Sequence, residues 1–176
     1  MPLPEPPEHN FDRQPVINDR IPEISEDFRL RISAGSNHLH TWFLNLEIGS
    51  SGHVRMQRGN RSEPEDLEEY QLFWNEQALS TVIELMEQHD LRLARSVQRP
   101  RQGGDHLHLL ANWEGRSIDV WVDGEFEEHV CPFVSSLNRL LPDSMQISYT
   151  YLDDPCRLSE EQAERLWPDG WRPSLG

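Results

Sequence analysis

Polar and apolar residues alternate from residue 28 to residue 33. Phe28, Leu30 and Ile32 share one side and Arg29 and Arg31 the other, the period of a half-buried strand. Trp42, Leu44, Leu46 and Ile48 repeat the pattern up to Gly49-Ser-Ser-Gly52, which reads as a hairpin loop, and residues 53–58 return as a third strand. A polar stretch over 59–68 reads as a loop, and Tyr70, Leu72 and Trp74 suggest a fourth strand. The period then changes. Asn75 is a good N-cap, and Leu79, Val82, Ile83 and Met86 make one apolar stripe of a helix.

The second half runs a similar course. Leu91, Leu93 and Val97 suggest a strand, followed by the breaker run Pro100 to Gly104. Leu107, Leu109, Ala111 and Trp113 line the next strand, Glu114-Gly115 makes a tight turn, and Ile118, Val120 and Val122 follow. Asp123-Gly124 signals a second hairpin, with Phe126, Glu128 and Val130 on the returning strand. Pro132 suits a first helical position, ahead of a stripe of Phe133, Leu137, Leu140 and Leu141. Met145, Ile147, Tyr149 and Tyr151 alternate as a last strand.

These elements predict an α+β fold, a largely antiparallel sheet with helices packed on one side. The halves, 28–90 and 91–151, each read as strands in hairpins followed by a helix, a loose internal duplication. Residues 1–27 hold six of the thirteen prolines and seven acids, and read as an extended tail that Phe11, Val16, Ile17, Ile21 and Ile24 could pin to the core. Residues 152–176 carry a capping box at Ser159-Glu-Glu-Gln162, a short helix, and Trp167 and Trp171, which fold back onto the body.

Composition narrows the chemistry. Sixteen basic residues face 31 acidic ones, for a net charge of -15, and all sixteen are arginine. The missing lysine excludes Schiff-base, P-loop and kinase-type phosphate chemistry that needs an amine. It is the usage expected of a GC-rich genome, or of a chain selected to avoid lysine modification. The acidic balance disfavours nucleic acid and anionic membranes and leaves a basic protein partner open. The N-terminus has neither the cationic nor the apolar region of a signal peptide, and no stretch approaches a membrane span. Two cysteines, Cys131 and Cys156, make no disulfide framework. A cytoplasmic, reducing location is the default, with a single bridge left open.

Three constellations remain as candidate sites. His38-Leu-His40, His106-Leu-His108 and His129-Val-Cys131 share a spacing that, on strands, would aim two ligands the same way. His106, His108, His129 and Cys131 would suffice for zinc or iron if their strands were neighbours, while a solvated strand face explains His106 and His108 without metal. Cys131, just ahead of a helix and near His129, is a thiol whose pKa could be lowered, or simply a small buried residue. Two acid-rich runs, Glu63 to Glu69 and Asp123 to Glu128, are solvated faces or one acidic docking patch. A third reading is a phosphate or RNA contact through Arg92, Arg95, Arg99 and Arg101.

Motifs for hydrolase elbows, dinucleotide loops, zinc proteases and redox cysteines are missing, and no cofactor is implied. The reading favoured by the sequence is a non-catalytic acidic interaction protein, an inhibitor, immunity-type protein or accessory subunit. Its partner-binding residues would be Glu65, Asp66, Glu68, Glu69, Asp123, Glu125 and Glu127, with Trp121 as the aromatic anchor.

Overall fold

The computed structural model describes residues 24–36, 42–60, 63–98, 105–123 and 126–147, with Cys156, Glu161, Glu164 and Arg165. Seven strands form one sheet: β1 (Arg29–Ser36), β2 (Trp42–Gly49), β3 (His53–Asn60), β4 (Glu63–Phe73), β5 (Val97–Gln98), β6 (Asp105–Trp113) and β7 (Arg116–Asp123). Their order is β4-β3-β2-β1-β6-β7-β5. The six long strands are antiparallel, and the two-residue β5 adds a parallel margin to β7. Helices α1 (Glu76–Gln88) and α2 (Val130–Leu140) complete the α+β fold.

The period-two pattern sorts the strands into two faces. Leu30, Ile32, Leu44, Leu46, Ile48, Val54, Met56, Leu107, Leu109, Trp113, Val120 and Val122 are buried and form one core with the apolar residues of both helices. Helix α1 begins where Asn75 accepts the Ala78 amide at 2.9 Å, and it buries Leu79, Val82, Leu85 and Met86. Helix α2 buries Phe133, Val134, Leu137 and Leu140. Beyond α2 the chain is clasped to it, as Asn138 accepts from the Ile147 amide at 2.7 Å and donates to its carbonyl at 2.8 Å.

The turns follow local chemistry. Glu114 and Gly115 both take positive φ, 50° and 74°, as the predicted two-residue turn requires. Gly52 has φ 88° and sits against Trp74, whose amide donates to the Gly52 carbonyl at 2.8 Å. A Cβ at position 52 would lie 2.1 Å from the Trp74 carbonyl oxygen, so only glycine fits this closure.

Four expectations are corrected. Most of the stretch over 59–68 is strand: β3 runs to Asn60 and β4 starts at Glu63. Leu91–Leu93 form a 3-10 turn rather than a strand, burying Leu91 and leaving Leu93 half-exposed. No strand returns over 126–130; residues 128 and 129 are a turn and α2 starts at Val130, two residues ahead of Pro132. The early start has a cause in Glu127, whose Oε2 accepts from the amides of His129 (3.0 Å) and Val130 (2.6 Å). Met145 closes a second 3-10 turn, Asp143–Met145, and Ile147 is irregular, so the described part of the last predicted strand is not one.

The halves also differ: four long antiparallel strands precede α1, and one long hairpin precedes α2. Ile24 packs against the core, as expected of the tail's end, and Glu161, Glu164 and Arg165 are helical and exposed. His38, His40, Glu125, Tyr149, Tyr151, Trp167, Trp171 and most of the tail lie outside the described residues.

Candidate functional site

Among the described residues both helices lie on one side of the sheet and none packs over the other, the uncovered face. Register places its residues in rows across the strands. One row runs Gln57, Asn45, Ser33, His108, Trp121, the next Arg55, Glu47, Arg31, Leu110, Asp119, and the end row Gly49, Arg29, Asn112, Ser117. These side chains tie to one another across strands. Ser33 donates to Asn45 at 2.6 Å, and Arg55 pairs with Glu69 at 2.9 Å. Gln57 and Gln71 donate to the same Glu69 carboxylate. These bonds, with Arg55 first, hold the Glu69 pKa below the ordinary carboxylate value.

Toward β7 the face becomes aromatic. His108 stacks on Trp121 with ring centroids 4.0 Å apart and planes 6° from parallel. Its Nε2 sits 2.6 Å from an Asp119 carboxylate oxygen, and His106 lies 5.7 Å from the same indole. Trp121 is 39% exposed, on the side of β7 opposite the buried Val120 and Val122. Asp119 fixes the His108 ring against the indole. Beyond it, Asp123 ends β7 opposite His106.

The acid-rich runs do not make one patch. Glu65, Asp66, Glu68 and Glu69 are exposed on β4, the edge strand, whereas Asp123 lies on β7. Five strand spacings separate β4 from β7, about 24 Å. Glu68 is drawn to Arg58 (3.8 Å) and accepts from the Tyr70 hydroxyl at 3.1 Å, and Glu127 is not a surface residue. It is 4% exposed and caps α2, so its place among the partner-binding residues is corrected.

The metal quartet is not assembled. His106 and His108 point to the uncovered face of β6, while His129 and Cys131 sit at the start of α2, on the helix side of the sheet. Cys131 is buried and disulfide-bonded to Cys156, with Cα atoms 4.7 Å apart, so it is neither a ligand nor a reactive thiol. His129 instead bonds the His89 carbonyl through Nδ1 at 3.0 Å. Among the described residues no group of three or more His, Cys, Asp or Glu is arranged to hold a metal ion. Of the third constellation, Arg92 and Arg95 are exposed around the 91–93 turn, and Arg99 and Arg101 lie outside the described residues.

One buried polar pair escaped the sequence reading. His89, 1% exposed at the end of α1, bonds the Ser136 hydroxyl of α2 through Nε2 at 3.0 Å. Burial, helped by the nearby His129, lowers its pKa to about 4. Ser136 is also buried, so the pair ties the helices together and is closed to a substrate. Among the described residues no helix is long and apolar enough to cross a membrane. No protein-family model matches the chain, and no curated protein matches it in sequence.

Proposed function

We propose that this chain is a non-catalytic binding protein that holds a protein partner against the uncovered face of its sheet. The observation that carries the reading is the Trp121–His108–Asp119 stack, an exposed indole held rigid by a parallel imidazole and a carboxylate. A preordered aromatic loses little conformational freedom on binding, which is why such residues dominate interface energies. The acids of β4 form the opposite margin of the same sheet and would steer a partner with a basic surface. An inhibitor, immunity-type protein or accessory subunit works by such surface occlusion.

The compartment is part of the proposal. The cytoplasmic default and the Cys131–Cys156 bridge pull in opposite directions, because a reducing cytosol keeps thiols open. The bridge favours an oxidising environment at the site of action.

The test is affinity capture from an extract of the source cells with the full chain, Trp121→Ala, and a Glu65→Arg/Asp66→Arg variant. A specific partner should be held by the wild type and released as salt rises. It should be lost from Trp121→Ala and bind more slowly to the charge-reversed chain. Equal retention by all three chains would sink the reading.

A further inference from the structure

We propose that the end of the uncovered face around Arg29 binds the oxyanion, carboxylate or phosphate, of a small ligand. Two adjoining hollows of about 590 and 490 Å³ meet at this point. Arg29, Gly49, Ser51, Asn112 and Ser117 line both. Volumes of that order suit small molecules. The site rests on none of the residues that carry the partner-binding proposal, so either can fail alone.

Charge pairing singles out Arg29. Among the described residues five arginines stand on the sheet, and four have a carboxylate within reach: Arg31 with Glu47 (3.8 Å), Arg55 with Glu69 (2.9 Å), Arg58 with Glu68 (3.8 Å) and Arg116 with Glu87 (3.0 Å). Arg29 is exposed and makes no ion pair among the described residues, in a chain with nearly twice as many acids as arginines. Its cross-strand neighbours are Gly49 and Asn112, with Ser117 next in the row, and none carries charge. A planar guanidinium beside neutral amide and hydroxyl donors is the arrangement that grips an oxyanion through two parallel bonds.

Gly49 is the second sign. It occupies a strand position at ordinary φ, and a Cβ added there meets nothing within 4 Å. Neither backbone geometry nor packing demands glycine, yet glycine weakens a strand. Its effect is to leave the approach to Arg29 open.

The nearby acids do not fill the site. Asp27 lines the first hollow, but its two oxygens accept the amides of Glu114 (3.1 Å) and Gly115 (2.8 Å), and the bond to Ser25 together with these amides lowers its pKa. Glu47 leans to Arg31, and Glu26, which lines the first hollow, is exposed and makes no ion pair with Arg29. Arg31 and Arg55 also line the second hollow, but both already face carboxylates, which leaves Arg29 as the anion-binding group.

The test titrates the full chain separately with inorganic phosphate and with succinate at fixed ionic strength, following backbone amide signals by NMR. Saturable shifts are expected at Gly49, Asn112 and Ser117. Arg29→Gln should weaken binding at least about tenfold, the loss of a charge-assisted contact. Gly49→Leu keeps every charge and should block binding by filling the hollow, while Arg92→Gln should bind as the wild type does. Saturation by one anion alone assigns the ligand as carboxylate or phosphate, and saturation by both supports a general oxyanion site. Saturation by neither overturns the proposal, and so does binding that survives Arg29→Gln or Gly49→Leu.

Discussion

The two faces of the sheet are built from the same strands and obey different rules. On the covered face Leu30, Leu46, Met56, Leu109 and Val122 are sealed from water, and neighbours were selected for shape. On the uncovered face, one residue away along each strand, Ser33, Asn45, Gln57 and His108 are only half-buried; Ser33 bonds Asn45, Gln57 bonds Glu69 and His108 bonds Asp119. Apolar burial is concentrated on the first face, and polar and exposed side chains on the second. A single backbone therefore carries a core that resists change beside a surface free to acquire contacts.

The comparison breaks most visibly at adjacent positions on one strand. Leu46→Ala should cost about 3 kcal/mol, the lost transfer energy plus the cavity left behind, whereas Asn45→Ala should cost less than about 1 kcal/mol. Urea denaturation of the two variants checks this. Equal losses would mean that the uncovered face also bears the fold. Next comes the bridge on the helix side. Cys131 and Cys156 are 25 residues apart, and opening a loop of that size should cost about 3 kcal/mol in chain entropy. Denaturation with and without reductant measures it.

The covered side also holds the acid sensitivity. Folded His89 has its pKa lowered from 6.5 to about 4, so the unfolded chain takes up that proton first. Stability is complete above the unfolded value and is lost as pH falls from about 6.5 through about 4, by a total of about 3 kcal/mol. Denaturation at stepped pH should show this limb, and His89→Gln should flatten it. The smallest effect belongs to the uncovered face. Trp121→Ala should change stability by less than about 1 kcal/mol while removing partner binding. A large drop in melting temperature for that variant would instead make the stack structural.

Legibility in the sequence followed the same division. β1, β2, β3, β6 and β7 were readable because one face is apolar and the other polar, which stamps a period of two on the chain. The first part of β4 was not, since Glu65 to Glu69 are exposed throughout and no alternation remains. The opposite error arose over 126–130. There Phe126 packs on the core, Glu127 turns inward to cap a helix and Val130 begins it, so alternation appears without a strand. Parity did place Trp121 and His108 on the polar side. It could not set Arg29 beside Gly49 and Asn112, because that row depends on pairing between strands up to eighty or so residues apart.

The acids of β4 have a second consequence, for solubility. An edge strand presents unpaired amides and carbonyls to any passing strand, and in this chain a row of like charges keeps two such edges apart. Neutralising the row by Glu65→Gln, Asp66→Asn and Glu68→Gln together would remove that repulsion. Light scattering should then register association of this variant under conditions where the wild type stays dispersed. What keeps this protein apart from its own copies would be a margin of carboxylates along one strand.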